Sequence, residues 1–279
     1  MRTCAVIPAA GGGSRLGLSV PKLLAPIRGG DTVWTLLESR LRGLVDHIHV
    51  IASPAGRHAI ERAVQRETPK QGEGASISAP ATTVGIQLRP TGMGDAIFCG
   101  QQTWQPAKTL LIIWGDQVHV SAETLRTAVA LHEGAPRRVV LPLVEVDTPY
   151  VAYCFDRFGR LGRVLQRREG DCCPARGLSD VGAFVLSTGG LAKAWADYRR
   201  GQPPGALTGE VNFLPFLVYL VGRGWEVLTS DVCEQLETRG INTREDLEWF
   251  QKFYQHPNDG SECAEPERMS RFYKLKPNT

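Results

Sequence analysis

The chain has 279 residues, of which 42% are hydrophobic and 22% charged, and its formal net charge is +3. This length suffices for one large α/β domain or two small ones with a substantial core. The charge is small and its arginines are dispersed, so no nucleic-acid partner is indicated. No apolar run reaches the roughly eighteen residues of a membrane span, no signal-peptide pattern opens the chain, and the seven cysteines lack C-x-x-C spacing. These features predict a soluble, cytoplasmic protein without a membrane partner.

Short apolar segments alternate with longer helical patterns through the first half of the chain. Strands are predicted near residues 3–9, 47–52, 84–88 and 109–114, and helices near 33–43, 57–66, 95–104 and 121–132. This alternation is typical of βαβ units. The sequence therefore predicts a Rossmann-like α/β fold in which helices flank a mixed, mostly parallel central sheet.

The second half of the chain predicts a change in strand direction. A strand is expected at 138–146, and two further strands at 150–155 and 161–167 form a hairpin around residues 156–160. Strands near 181–186 and 225–229 and helices near 189–199, 213–221 and 244–254 complete the pattern. Antiparallel strands are therefore expected in this half of the sheet.

Two segments lack periodicity. Residues 69–83 are rich in Gly, Ser, Ala and Pro and predict a long loop, which is either a lid or a plain surface insertion. From residue 256 the chain is polar and aperiodic. We therefore expect a domain over residues 1–255 and a tail over 256–279, which is either a disordered end or an arm that packs on a neighbour.

A glycine-rich loop follows the first predicted strand. Residues 8–17 read PAAGGGSRLG, and Lys22 follows shortly after. Glycines let the backbone approach a ligand and point successive N–H groups at phosphate oxygens, while Arg15 and Lys22 add positive charge. The alternative is an ordinary turn between a strand and a helix. The loop matches neither a P-loop, which ends in Gly-Lys-Ser/Thr, nor the dinucleotide fingerprint, because Leu16 occupies the last glycine position.

An acidic residue lies where a second buried strand ends. Asp116 follows the apolar run 110–115, so it is expected at the carboxyl edge of the sheet, where open α/β folds bind ligands. A carboxylate at that edge can hold Mg²⁺ against a triphosphate. The alternative role of helix cap fits less well, because the next helix begins only near Ser121.

The glycine loop and three later motifs resemble the sugar-phosphate nucleotidyltransferases, also called pyrophosphorylases. The later motifs are GMGDA at 92–96, WGD at 114–116 and GIN at 240–242. Their order is most similar to the uridylyltransferase domains that act on N-acetylglucosamine 1-phosphate, and the similarity extends to about residue 253. The glycine loop is also similar to that of cytidylyltransferases of isoprenoid and sugar-acid pathways. The hexapeptide repeats that follow the uridylyltransferase domain in bifunctional members are not found in this sequence.

The resemblance implies a GT-A type sheet and a Mg²⁺-dependent reaction between a nucleoside triphosphate and a sugar 1-phosphate. A phosphate oxygen of the sugar attacks the α-phosphorus, and pyrophosphate leaves. The resemblance assigns Arg15 to the departing pyrophosphate and Lys22 to the attacked α-phosphate. It makes Asn242 a second metal ligand beside Asp116, although Asn242 or Thr243 can equally cap the helix that follows.

The resemblance also implies a set of nucleotide contacts. They are expected at Ala9, Ala10, Gly11, Gly12, Gly13, Ser14, Arg89, Gly94, Asp95 and Gly115. Arg89 stands where the most similar domains read uracil with a glutamine, and Asp95 replaces a small hydroxyl residue. Because an arginine suits acceptor-rich base edges such as that of guanine, the base stays open among UTP, GTP, CTP, dTTP and ATP.

The predicted acceptor side departs further from those domains. Val151, Gln166 and Asp180 stand in place of a glycine, a glutamate and an asparagine that contact N-acetylglucosamine, and Glu210 aligns with a glutamate near the same pocket. A branched side chain narrows the pocket, and an amide in place of a carboxylate alters hydroxyl recognition. N-acetylglucosamine 1-phosphate is therefore not the expected acceptor, and packing roles for these residues stay open.

Three other functions are weaker alternatives. A glycosyltransferase of the same sheet type normally uses an Asp-x-Asp motif, which Asp116-Gln117-Val118 does not supply. A catalytically silent, regulatory nucleotide-binding subunit has no need to retain both the cations and the metal ligands. A dehydrogenase requires the dinucleotide fingerprint. The expected partners are an NTP and a sugar 1-phosphate, and a homo-oligomer is compatible with the sequence.

Overall fold

The computed structural model describes residues 2–11, 16–66 and 79–255. Its strands are β1 (Thr3–Ala9), β2 (Pro26–Arg28), β3 (Asp31–Thr32), β4 (His47–Ala52), β5 (Ala81–Ile86), β6 (Thr109–Ile113), β7 (Arg138–Asp147), β8 (Val151–Phe155), β9 (Leu161–Gln166), β10 (Arg176–Asp180), β11 (Ala183–Ser187) and β12 (Glu226–Ser230). Its helices are α1 (Val33–Leu41), α2 (Arg57–Arg66), α3 (Met93–Cys99), α4 (Gln101–Trp104), α5 (Ala122–His132), α6 (Leu191–Gly201), α7 (Leu214–Val221) and α8 (Arg244–Gln255). Short 3-10 turns lie at Lys22–Leu24, Arg167–Glu169 and Gln235–Thr238.

Ten of the described strands form one sheet, in the order β5-β4-β1-β6-β11-β7-β10-β8-β9, with β12 parallel to β7. The strands β5, β4, β1 and β6 are parallel to their neighbours within that group. From β11 onward each pairing along the main order is antiparallel. The predicted mixed α/β sheet is therefore confirmed, and it divides into a parallel half and an antiparallel half.

Two apolar clusters cover the two faces of the sheet. Successive side chains of a strand point to opposite faces, and along β1 the residues Ala5 and Ile7 join one cluster while Cys4 and Val6 join the other. The first cluster includes residues of α1, α2, α5 and α8, and the second includes residues of α3, α4, α6 and α7. Helices on both faces bury every residue of β6, which explains its apolar run over residues 110–113.

Most predicted elements are present, although the short strands β2 and β3 were not predicted and three further differences appear. The predicted helix over 95–104 begins at Met93 and divides into α3 and α4 at Gly100, where a Cβ would lie only 2.6 Å from the His49 ring. The strand β10 was not predicted, because the sequence RGLSD at 176–180 lacks an apolar alternation. The predicted loop at 69–83 overlaps β5, and its residues 69–78 lie outside the described part of the chain, as does the predicted tail.

Two further observations concern the described residues only. The six cysteines that the structure describes are all free. None of the described helices combines the length and the hydropathy that a membrane crossing requires.

Candidate active site

A cavity of about 270 Å³ opens at the carboxyl ends of β1 and β6. Its walls come from the end of β1, the 3-10 turn that carries Lys22, the segment after β6 and the start of α3. Several residues predicted from the sequence line it together: Ala9, Ala10, Gly11, Lys22, Gly115, Asp116, Glu210 and Asn242. Ligands of open α/β sheets bind at this edge.

Lys22 and Asp116 form an ion pair inside this cavity. The Nζ atom of Lys22 donates to Oδ2 of Asp116 at 3.1 Å, and both side chains are about one-quarter exposed. The turn that carries Lys22 is closed by a hydrogen bond from Leu24 N to Pro21 O and anchored by the buried Leu23. The ammonium group thus occupies a cation-binding position beside the carboxylate.

Asn242 is brought next to Asp116 by main-chain contacts. The N–H of Ile241 donates to the carbonyl oxygen of Asp116 at 2.9 Å, and Gly240 forms a β-bridge with Gln117. A Cβ on Gly240 would lie 3.3 Å from Cγ of Asp116, so only a glycine lets the two segments approach this closely without displacement.

The cap of α8 is made by the residue after Asn242. The hydroxyl of Thr243 accepts from Asp246 N at 3.2 Å, and the Asp246 carboxylate accepts from the N–H groups of both Thr243 and Asn242. The side chain of Asn242 makes no hydrogen bond to any described residue and lines the cavity. The alternative in which the Asn242 side chain caps the helix is therefore not the arrangement seen.

The chemistry of these groups fits a magnesium ion. Asp116 offers carboxylate oxygens and Asn242 a carbonyl oxygen, and Mg²⁺ prefers oxygen ligands while usually taking only one or two from protein. Asp116 already binds one cation inside the cavity, the Lys22 ammonium. Within the described ranges no cluster of three or more His, Cys, Asp or Glu side chains forms a denser metal site.

The glycine loop is described only in part. Ala9, Ala10 and Gly11 line the cavity, whereas Gly12, Gly13, Ser14 and Arg15 lie outside the described residues. Gly115 lies against the end of β1, where a Cβ would come within 2.9 Å of the Pro8 carbonyl oxygen. This glycine is thus required for the close contact between β1 and the segment after β6. The roles predicted for Gly12 to Arg15 stay predictions.

The residues predicted to read the base are not those that line the cavity. The side chain of Arg89 is exposed and does not line this cavity, whereas Gln87 is 8% exposed and lines it. The Nε2 atom of Gln87 donates to Gly92 O at 2.9 Å, which fixes the amide plane. Sequence reasoning missed Gln87 because the strand predicted near 84–88 includes it, whereas β5 ends at Ile86 and leaves Gln87 directly after the strand.

Gly94 and Asp95 pack against α6. A Cβ on Gly94 would lie 2.1 Å from the Trp195 ring, so this glycine allows the helix α3 to approach an aromatic side chain. Oδ1 of Asp95 pairs with Nε of Arg199 at 3.1 Å. Neither residue lines the cavity, and their predicted nucleotide contacts stay predictions.

A second cavity of about 180 Å³ adjoins the first. The two share the lining residues Met93, Trp114, Asp116, Arg168 and Asn242. Val151, Gln166 and Asp180, predicted as acceptor contacts, line the second cavity together. The fourth, Glu210, lines the first cavity. The structure thus gathers the predicted acceptor residues around one continuous cleft.

Arg168 is the cation that borders both cavities. Its Nη2 atom donates to Oε2 of Glu210 at 2.5 Å, and the side chain is 27% exposed. The next residue, Glu169, accepts from Asn212 Nδ2 at 2.9 Å and from the backbone of Leu207, which ties the loop before α7 to the end of β9. Sequence reasoning missed Arg168 because nothing distinguishes it from its neighbour Arg167 until the pairing of the strands is known.

Asp180 is a buried carboxylate at the end of β10. It is 8% exposed, and its oxygens accept hydrogen bonds from Gly182 N at 2.7 Å and from the Tyr153 hydroxyl at 3.0 Å. Burial raises the pKa of Asp180 above its ordinary value, and the negative charge of Asp116 adds to this effect. Burial likewise raises the pKa of Tyr153 well above its usual range, so this hydroxyl stays protonated.

A family model for MobA-like NTP transferase domains matches residues 5–180. The chain belongs to this family of NTP transferase domains. It is 24% identical over 280 residues to the bifunctional protein GlmU of Burkholderia ambifaria and 27% identical over 273 residues to that of Chromohalobacter salexigens. Each match covers 95% of this chain and 56% of the relative, so this NTP transferase chain spans little more than half the length of those proteins.

Solved structures share the fold of this NTP transferase domain. A putative glucose-1-phosphate thymidylyltransferase from Bacillus anthracis superposes with a TM-score of 0.69 at 15% identity, covering 93% of this chain and 98% of that one. The 4-diphosphocytidyl-2C-methyl-D-erythritol synthase of Anaerococcus prevotii gives a TM-score of 0.60 at 14% identity, covering 91% of this chain and 98% of that one. At these low sequence identities, the structural similarity establishes that the chain shares their fold.

Proposed function

We propose that the protein is a Mg²⁺-dependent nucleotidyltransferase that joins an NTP and a sugar 1-phosphate, or a similar phosphate, into an NDP-sugar and pyrophosphate. One observation carries this proposal. Two cavities meet at Asp116, Arg168 and Asn242, and of the two only the first is lined by residues of the glycine loop that the structure describes. A bisubstrate enzyme requires two adjoining sites of this kind, whereas a silent nucleotide-binding subunit requires one.

The first cavity suits the nucleotide. Backbone groups of Ala10 and Gly11 line it at the end of β1, and Lys22 stands opposite on its turn. In the proposed complex the Lys22 ammonium breaks its ion pair with Asp116 and binds an oxygen of the α-phosphate, with which it forms a charge-assisted hydrogen bond. Gln87 borders the region between the end of β5 and the start of α3, where we place the base. Arg15 is assigned to the pyrophosphate by resemblance.

The second cavity suits the acceptor, with its phosphate at the shared wall beside Arg168. A phosphate oxygen of the acceptor forms the new bond to the α-phosphorus. The bond from the α-phosphorus to the bridging oxygen breaks, and that oxygen leaves with the electron pair as part of pyrophosphate. Asp116 and Asn242 would hold Mg²⁺, which when bound neutralises negative charge on the phosphates. Positioning and charge neutralisation supply most of the rate in such reactions, so the protein needs no covalent intermediate.

Pyrophosphate release tests this proposal directly. The full chain is incubated with Mg²⁺, each of UTP, CTP, GTP, dTTP and ATP, and a panel of sugar 1-phosphates. We expect release with at least one pair, dependent on both substrates and abolished when the metal is removed by a chelator. Release that needs no acceptor would indicate simple NTP hydrolysis, and no release across the panel would contradict the proposal.

A further inference from the structure

Two buried side chains of the second cavity carry acceptor atoms with unused hydrogen-bond capacity. Gln117 lines it and is 5% exposed, and its buried Oε1 atom has no hydrogen-bond partner among the described residues. Asp180 lines it as well, with each carboxylate oxygen accepting one hydrogen bond from the protein and keeping capacity for another. Buried acceptors without donors are costly, so this surface is expected to meet donors on its ligand.

Two of the polar side chains that line this cavity donate to protein groups instead of the cavity. The Asn212 amide donates to Glu169 at 2.9 Å, and the Thr238 hydroxyl donates to Gln235 O at 2.8 Å. The Gln166 carboxamide, which belongs to a residue 4% exposed, makes no side-chain hydrogen bond to a described residue. Together with the Asn242 side chain, which also makes no hydrogen bond to a described residue and lines both cavities, it offers a neutral amide that can bind a hydroxyl oxygen.

The charges around the cavity differ from one side to the other. On the side shared with the first cavity, Asp116 is paired with Lys22 and Arg168 with Glu210. Asp180 has no cationic partner among the described residues, and the charge that acts on it is the carboxylate of Asp116. The side of the cavity at Asp180 therefore carries an acidic group without a counter-charge, and because burial raises the pKa of Asp180, a cation bound there would favour its charged form.

This inference rests on the function proposed above and concerns the acceptor. We propose that the second cavity selects an acceptor phosphate that carries a protonated amino group, and that Asp180 and the Oε1 atom of Gln117 bind this ammonium. An ammonium supplies three donors and the missing positive charge, whereas a neutral hydroxyl supplies one donor and no charge. An acceptor with a carboxylate in this position is repelled by Asp180.

A series of three acceptors tests the assignment, because glucosamine 1-phosphate differs from glucose 1-phosphate only in the group at C2, and glucuronic acid 1-phosphate differs from glucose 1-phosphate only in the group at C6. Glucosamine 1-phosphate, glucose 1-phosphate and glucuronic acid 1-phosphate are compared by kcat/KM for pyrophosphate release, with the NTP that the chain prefers. We expect the amino acceptor to exceed the neutral one by at least about tenfold, in keeping with a charge-assisted hydrogen bond, and the acidic acceptor to be the poorest.

The variant Asp180→Asn removes the charge and keeps the shape. It is expected to reduce the ratio between glucosamine 1-phosphate and glucose 1-phosphate at least about fivefold. The control Asp197→Asn, which removes a partly exposed carboxylate of α6 paired with Lys193, is expected to leave that ratio unchanged. If Asp180→Asn does not fold, the preference of the unmodified chain among the three acceptors decides.

The outcomes separate the two proposals. Turnover that is equal for the three acceptors, or fastest with the acidic one, overturns the ammonium assignment and leaves the nucleotidyltransferase function intact. An unchanged acceptor ratio in a folded Asp180→Asn variant overturns the role of that residue. No pyrophosphate release with any acceptor and any NTP overturns the proposed function, and this inference with it.

Discussion

The two halves of the sheet build their parts of the cleft in different ways. In the parallel half, the groups that line the first cavity follow directly after the strands β1 and β6, as Ala10 and Asp116 do. In the antiparallel half, the second cavity is lined by side chains at the ends of β8, β9 and β10. Short strand-end motifs define the first arrangement, whereas the register between strands defines the second.

The register of the antiparallel half places the acceptor residues together. Val151 and Gln166 are directly paired across β8 and β9. Asp180 is the last residue of β10, which pairs with β8 through Leu178 and Tyr153. A shift of one residue in either pairing would turn Gln166 or Asp180 toward the opposite face of the sheet. Acceptor choice therefore depends on pairings that are distant in sequence.

The largest effect is expected at the carboxylate shared by both cavities. Asp116→Asn is predicted to lower kcat by at least about a thousandfold, because the variant loses the negative charge that holds a cation beside the phosphates. The control Asp31→Asn removes a carboxylate that pairs with Arg28 at the surface, and it is expected to keep full activity. Pyrophosphate release at saturating substrates checks both variants. Retained activity in Asp116→Asn would contradict the role of this residue as a metal ligand.

The second prediction concerns Arg168, the cation that borders both cavities. Arg168→Met is predicted to lower kcat/KM for the acceptor by about 30-fold or more, since charge-assisted hydrogen bonds are worth about 1.5–3 kcal/mol. Steady-state kinetics at varied acceptor concentration provide the measurement. The matched control is Arg163→Met on β9, whose side chain is 68% exposed. Equal kinetics for the two variants would exclude Arg168 from the acceptor site.

A third prediction concerns the wall between the two cavities and the helix α6. Gly94→Ala is predicted to lower the free energy of unfolding by about 3 kcal/mol, because its Cβ would overlap the Trp195 ring. Gly201→Ala, at the end of α6, meets open space and is expected to change stability by less than about 1 kcal/mol. Chemical denaturation measures both. A stability of Gly94→Ala equal to that of the control would contradict the packing described here.

The smallest effect is a pH dependence of stability that comes from His49, in the parallel half of the sheet. Burial lowers the pKa of His49 on β4 to about 4, so the folded protein keeps this ring neutral while the unfolded chain protonates it below about pH 6.5. Stability is therefore expected to fall as the pH drops, by about 2 kcal/mol between pH 6.5 and 5 from this residue. His49→Asn should flatten that part of the profile, while the exposed His58→Asn should not. An identical profile for both variants would contradict the assignment.

The sequence predicted the parallel half in more detail than the antiparallel half. Residues 110–113 of β6 are all apolar, so the place of Asp116 just beyond the end of this strand followed from local pattern alone. The residue that contacts the base was harder to predict. Gln87 and Arg89 are only two residues apart, and the position of α3 relative to β5 decides which of them lines the cavity. Arg168 and the strand β10 depended on long-range pairing, which a local pattern does not encode.

The central claim is that one cleft binds both substrates around Asp116. A crystal structure of the full chain with Mg²⁺, a non-hydrolysable NTP analogue and a sugar 1-phosphate tests it most directly. The account predicts a divalent ion held by Asp116 and Asn242, a triphosphate against Ala10 and Gly11, and the Lys22 ammonium on a phosphate oxygen. A nucleotide bound elsewhere, with the Lys22–Asp116 ion pair still intact, would contradict it.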